Sequence, residues 1–251
     1  MRVIATYNIK GGVGKTSAAV NLAALAAAEG FRTLLWDLDP QGSATFLFRV
    51  RPKVRGGAGK LVRGRSDLAG LLKGTDIEGL DLLPADFSYR HMDLVLDGTK
   101  RPASRLARVL APVAGDYDLA VLDCPPSISL VSESVFETAD ALLVPLIPSV
   151  LSVRTFEQLI EFVGSQVDTR PEIVAFFSMV DRRKRLHRDL VDQLPSLYPD
   201  IVAAAIPAAA DVERMGGRRE PLAAFAPHSP AARAYRSLWE QTRDRLGLAW
   251  R

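Results

Sequence analysis

Three observations predict an α/β fold built on a doubly wound, mainly parallel sheet with helices on both faces. Short β-rich runs alternate with helical stretches along the whole chain. Those runs are continuously apolar rather than alternating, the pattern of strands covered on both faces. The first run, Val3-Ile4-Ala5, also passes through a glycine-rich turn into an alanine-rich helical stretch, as a strand–loop–helix unit does. The 251 residues suffice for one domain with a full core. The sequence therefore reads as a single domain over 1–251, with a basic loop or insert at about 46–66.

The elements follow in order. A strand over 3–7 leads through the glycine turn to a helix over 15–29, and a second strand covers 33–37. The segment 49–65 then breaks the rhythm, with seven basic residues, four glycines and no acid. It reads as an extended surface loop or a short excursion from the sheet. It serves equally well as a solvated loop or as a contact for an anionic partner. A helix-like run over 66–73 follows, then a strand over 80–83 and a helix over 103–111. Strands over 119–123, 141–145, 173–179 and 201–206 alternate with helices over 130–138, 153–167 and 186–194. The last helix, 230–246, opens on Ser229-Pro230, a good N-cap and first-turn pair. There is no internal repeat and no long linker.

Composition removes several function classes. Hydrophobic residues make up 48% of the chain, yet no unbroken apolar run approaches a bilayer span, and no signal-peptide pattern precedes the first strand. A lone cysteine, Cys124, excludes an intrachain disulfide and a multi-cysteine metal site. A cytoplasmic protein is expected. Net charge is only +3, but the basic residues cluster, and clustering matters more than the total for binding a polyanion.

The chemistry starts in the glycine turn. Asn8-Ile9-Lys10-Gly11-Gly12-Val13-Gly14-Lys15-Thr16 lies between strand and helix, the context in which a phosphate-binding loop works. Glycines let the backbone approach an anion, and successive N–H groups form a cradle at the helix N-terminus. The expected nucleotide contacts are Gly11, Gly12, Val13, Gly14, Lys15, Thr16 and Ser17. Lys15 is placed for the β- and γ-phosphates and the Thr16 hydroxyl for magnesium. Ile9 stands where the strict pattern has a glycine, and a second lysine, Lys10, sits inside the loop. Two further motifs end strands. Asp37-Leu38-Asp39-Pro40-Gln41-Gly42 places carboxylates at a strand C-terminus, where such sheets bind ligands or where carboxylates cap the next turn. Val121-Leu122-Asp123-Cys124-Pro125-Pro126 delivers Asp123 from an apolar strand, as a Walker B element delivers its carboxylate beside the metal. Cys124 reads as a small buried residue, with no histidine close in sequence.

Lys-Gly-Gly-Val-Gly-Lys-Thr is the deviant Walker A signature, and the chain resembles the ParA/MinD group of P-loop ATPases over nearly its whole length. The Asp-x-Asp-Pro-Gln-Gly and Asp-x-Pro-Pro runs resemble the ParA branch, and Asn8-Ile9 favours that branch over MinD. The resemblance implies a P-loop NTPase with ATP and Mg2+ as cofactors. It implies that Lys10 crosses a dimer interface to the partner's nucleotide, and that Asp39 helps hold magnesium and orients the attacking water. Lys10, Lys15 and Asp39 are thus the expected catalytic residues, and Thr16, Asp39 and Asp123 the metal-site residues. The segment 145–148 resembles one that lines the family's dimer interface. Met179 and Asp181 at the end of the sixth strand, and Pro207 at the end of the seventh, are expected near the base, although Pro207 also reads as a plain strand terminator.

Basic groups point to a partner. Arg182, Arg183, Lys184, Arg185 and Arg188 crowd a helix start, where positive charge opposes the helix dipole. Arg214, Arg218 and Arg219 form a second group. In ParA relatives, arginines in these regions bind DNA without sequence preference. Arg182, Arg183, Arg185, Arg188, Arg214, Arg218 and Arg219 are therefore the DNA-binding candidates here, with a solubilising basic face as the other reading. The sequence departs from the family where Ala208-Ala209-Ala210-Asp211 follows Pro207. The resemblance further implies an ATP-dependent homodimer with weak, partner-stimulated hydrolysis. A ParB-like or cargo-adaptor activator would accompany it, on a cytoplasmic, nucleoid-associated protein that positions a chromosome, plasmid or protein assembly. A MinD-like membrane ATPase of division or flagellar placement is the alternative. The C-terminal helix argues against it, because Tyr235, Leu238, Trp239 and Leu246 are expected to pack on the sheet. Metabolic relatives, a reductase or a ligase, and an ATP-holding scaffold without turnover complete the readings.

Overall fold

The computed structural model describes residues 1–166 and 171–248. Eight strands form one sheet in the order β3-β4-β2-β5-β1-β6-β7-β8. In chain order these are β1 (Arg2–Thr6), β2 (Thr33–Asp37), β3 (Lys73–Gly74), β4 (Leu80–Leu83), β5 (Leu119–Asp123), β6 (Ala141–Leu146), β7 (Glu172–Val180) and β8 (Ile201–Pro207). All pairings are parallel except the short β3, which lies antiparallel to β4 at the edge. The sheet is buried from both sides, which is why its strands read as unbroken apolar runs. Val3, Ala5, Ala120 and Leu122 face one core and Ile4, Leu119 and Val121 the other.

Strand β1 is central, between β5 and β6. The chain leaves it through the glycine turn into α1 (Lys15–Ala28) and crosses beyond β5 to form β2. Successive connections thus diverge from β1, and the crevice beyond its carboxyl end is where open α/β sheets bind ligands. The C-terminal helix α11 (Pro230–Arg245) covers the β8 side of the face that carries α1. Its Ser229 side chain caps the first turn by accepting from the Ala232 N–H. Tyr235, Leu238 and Trp239 are buried as expected, and Trp239 meets Phe31 edge to face at 5.8 Å.

Several expectations need correction. The segment 49–65 is not an extended loop: it forms helix α3 (Gly57–Val62), and Val54, Ala58, Leu61 and Val62 are buried in the core. The glycine count hid this, because the helix is short and is held by tertiary burial rather than propensity. The 66–73 run is only a 3-10 turn at Ala69–Leu71 leading into β3. The short helices α2 (Ser43–Leu47), α4 (Met92–Asp97), α9 (Ala210–Arg218) and α10 (Leu222–Phe225) lie in stretches where the sequence pattern predicts no element. Helix α5 spans Arg105–Leu110 and α6 Leu130–Thr138. Helix α7 starts three residues before its expected start and runs over Val150–Gln166; the expected end at 167 lies outside the described residues. Helix α8 (Arg185–Leu197) continues through Pro195, which sits in the last turn and removes only one backbone donor there.

Candidate nucleotide site

The loop between β1 and α1 is shaped by residues on either side of its glycines. Asn8 is buried; its amide donates to the Pro145 carbonyl at 2.8 Å, and its Oδ1 accepts from the Lys10 N–H at 2.9 Å. One side chain therefore pins the loop to β6 and bends it. Gly14 closes the loop at φ +96, and a Cβ there would stand 2.8 Å from the Ser178 hydroxyl. Only glycine fits that conformation and that approach of loop to β7.

A cleft of about 610 Å³ opens over this loop. Its floor is Gly11, Gly12, Gly14, Lys15, Thr16 and Ser17, with Asp39, Pro126 and Met179 at the strand ends. Six of the seven expected loop contacts line it. The Val13 side chain is buried in the core, so its expected contact would be its backbone N–H. A smaller hollow of about 150 Å³ adjoins the cleft, and Met179 and Pro207 both line it. Met179 takes a left-handed conformation, φ +54, inside the end of β7, where the pairing with β8 shifts register between Phe177 and Val180. Asp181 does not join the two: its carboxylate accepts from Arg183 at 2.9 Å, which holds its pKa down at about 2. The structure thus turns Asp181 toward the basic cluster rather than toward a base. Sequence reasoning missed Phe46, Leu47, Val212, Met215 and Gly216, which form the cleft's far walls. They lie on α2 and α9, helices too short to show a period, so no signal marked them.

The electrostatics favour an anion beside a cation. Lys15 is buried, and its Nζ donates to the carbonyls of Asn8 at 3.1 Å and Lys10 at 2.9 Å. Burial lowers its pKa, while Asp123 and more weakly Asp39 pull it back up. Asp37 and Asp123 are register partners on adjacent strands, and both are fully buried. Burial, with the nearby Asp39 charge, pushes Asp37 up to about 6 against the bonds it accepts from Thr45. Burial and the Asp37 charge also raise Asp123, opposed by the Thr16 hydroxyl. Its Oδ2 finds no hydrogen-bond partner among the described residues. A buried carboxylate oxygen without a partner calls for an ion or water. Oxygen donors from Thr16, Asp39 and Asp123 around the phosphate cradle suit a hard cation such as magnesium. Cys124 is buried and its thiol pKa is raised by that burial, so it packs rather than reacts.

Lys10 stands apart from this cradle. Its Nζ donates to the Leu151 carbonyl at 3.2 Å, at the start of α7. Val150 and Leu151, beside that contact, are exposed by 66% and 68%, and Ile128 is exposed as well. The basic groups are also placed differently from one another. Arg182, Arg183, Arg185 and Arg188 all lie on the exposed surface at the head of α8, where Arg185 pairs with Asp189 at 3.6 Å. Arg214 pairs with Asp211 on α9, and Arg218 is exposed. Arg219 is instead folded back over the Phe46 ring, 4.3 Å from its centroid.

A phosphate cradle at the end of the central strand, with buried carboxylates on the strands next to it, defines a P-loop nucleoside triphosphatase. The model of the AAA domain family matches residues 1–174. The chromosome partitioning protein ParA of Caulobacter vibrioides is 34% identical over 82% of this chain and 80% of its own. The sporulation initiation inhibitor protein Soj of Bacillus subtilis is 29% identical over 94% of this chain and 96% of its own. The chain belongs to the ParA/Soj family of P-loop ATPases. The fold matches a crystal structure of cobyrinic acid a,c-diamide synthase from Mycobacterium smegmatis with bound ADP and magnesium. That match has a TM-score of 0.78 and 27% identity over all of this chain and 97% of the other. No helix among the described residues is long and apolar enough to cross a membrane.

Proposed function

We propose that this chain is an ATP-dependent, dimerising ATPase that binds DNA without sequence preference and positions a cargo on it. The observation that carries this reading is the placement of Lys10. Its ammonium sits outside its own phosphate cradle, beside the exposed Val150 and Leu151. A second copy docked there would cover Val150 and Leu151 and bring Lys10 to the partner's nucleotide. Partition relatives by sequence, and a related structure holding ADP with magnesium, support the same reading.

In this reading Thr16, Asp39 and Asp123 would hold magnesium, which supplies charge neutralisation for the transferred phosphoryl group. The loop N–H groups and Lys15 bind and orient the phosphates. Asp39, at the cleft edge, orients the water, and Lys10 of the second copy adds positive charge where negative charge develops. Met179 and Pro207 flank the base. Hydrolysis separates the copies and releases DNA from a surface built on Arg182, Arg185 and Arg188. The activator would be a ParB-like or cargo-adaptor protein and the location the nucleoid. The alternative of a MinD-like membrane helix is weaker, because the apolar side chains of α11 are already covered by the sheet.

The test is Lys10→Ala with ATP. Retained nucleotide binding with loss of the dimer in sedimentation, and loss of hydrolysis, is expected. Dimerisation and turnover equal to the unaltered protein would overturn the reading.

A further inference from the structure

The two helices that wall the nucleotide cleft, α2 and α9, end in a matched way. Arg49 follows α2 at φ +59, and Arg219 caps α9 at φ +57. Both are left-handed, a conformation that a residue with a Cβ holds only when its surroundings fix it. Each arginine reaches the other's helix. Arg49 donates to the Arg218 carbonyl at 3.1 Å and to Glu220 at 2.8 Å, with Asp76 on its other nitrogen at 2.7 Å. Arg219 donates from Nε to the Phe46 carbonyl at 2.9 Å and stacks on the Phe46 ring. That same carbonyl accepts from the Arg49 N–H at 3.0 Å. The result is a reciprocal clasp, closed on one peptide group.

Phe46 is the side chain the clasp controls. It is 51% exposed and lines the cleft, together with Val212 and Met215 from the opposite helix. These apolar side chains line the same cleft as the phosphate loop and offer the kind of surface that a ribose and base pack against. The α2 helix is anchored from beneath as well, since Thr45 bonds both the buried Asp37 and the Ala85 N–H. The span of the cleft is thus set between two fixed points: the Asp37–Thr45 anchor at the carboxylates and the arginine clasp at the mouth.

We propose that Arg219 and Arg49 are positioning residues for the bound nucleoside phosphate: they hold Phe46 as a wall against its ribose–base half. This rests on the nucleotide reading above and reassigns Arg219 from the DNA surface to the cleft. Arg219→Gly is the informative variant, because glycine accepts the left-handed backbone and removes only the side chain. ADP affinity by calorimetry, and KM and kcat for ATP, are measured for Arg219→Gly, Phe46→Ala and the double variant, with Lys15→Ala as control.

The expected result is an ADP affinity about five- to tenfold weaker in Arg219→Gly, of the size that cation–π and charged hydrogen-bond contacts supply. KM rises with kcat retained, the unliganded melting temperature does not fall, and the double variant is no weaker than Phe46→Ala alone. Unchanged ADP affinity in Arg219→Gly overturns the clasp. A DNA affinity that falls at saturating ATP while ADP affinity stays constant does so too, by returning Arg219 to the DNA surface. ADP binding by Lys15→Ala equal to the unaltered protein would instead reject the nucleotide reading itself.

Discussion

The Nζ of Lys15 donates to the main-chain carbonyl of Lys10 at 2.9 Å. The two lysines of the loop are thereby separated in space: one is folded inside the cradle, the other carried outward on the same bend. Lys15→Ala should abolish ATP binding in calorimetry. Lys10→Ala should leave affinity within a few-fold. Equal losses in both would mean that the two act on one nucleotide.

The buried carboxylates set a pH response. The folded pKa of Asp37 is about 6, above its ordinary 3.8, so the folded state binds more protons than the unfolded state between those values. Stability therefore falls as pH rises through that window, and the penalty is complete above it. The unliganded protein should melt a few degrees higher at pH 5 than at pH 7, relative to Asp37→Asn. Magnesium with nucleotide should flatten the difference. A pH dependence identical in Asp37→Asn would show that Asp37 does not carry it.

Thr45 joins the carboxylates to helix α2. Its hydroxyl donates to Asp37 at 2.7 Å and accepts from the Ala85 N–H at 2.8 Å, all buried. Thr45→Val leaves the Ala85 N–H without its acceptor and Asp37 with only the backbone donors of Thr45 and Asp39, and should cost about 1–3 kcal/mol in chemical denaturation. Thr45→Ser should recover most of it. A neutral Thr45→Val would show that water replaces the hydroxyl.

The head of α8 should carry DNA affinity. Arg183 is drawn to Asp181 at 2.9 Å, which leaves Arg182, Arg185 and Arg188 as the larger contributors. With ATP present, binding should weaken steeply with salt, and each neutralised arginine that contacts a phosphate should lower the log–log slope by about 1. Binding insensitive to salt would exclude a phosphate-backbone surface.

The deviant loop, the Asp37–Asp39 and Asp123 strand ends and the strand–helix alternation were all legible in the chain, because each is local. A phosphate loop is a few consecutive residues between a strand and a helix, and buried parallel strands are apolar runs whatever their neighbours. The cleft's other half was not legible. Phe46 and Met215 are 169 residues apart in sequence (215 − 46), on helices of 5 and 9 residues, and no periodic pattern marks either.

Charge was misread for the same reason. Arg49 and the basic glycine-rich stretch after it look like an unstructured surface when only composition is seen. Tertiary contacts instead bury Val54, Ala58, Leu61 and Val62 and turn Arg49 toward α9. A run of arginines fixes the net charge of a surface, but which of them face a polyanion depends on carboxylates and rings brought in from elsewhere. Arg219 meets Phe46 and Arg183 meets Asp181. By itself the sequence determined a P-loop ATPase of the ParA type, since its chemistry lies in contiguous motifs. Only the tertiary structure decided how the cleft is walled and which arginines remain outside it, because those depend on side chains that meet across the fold.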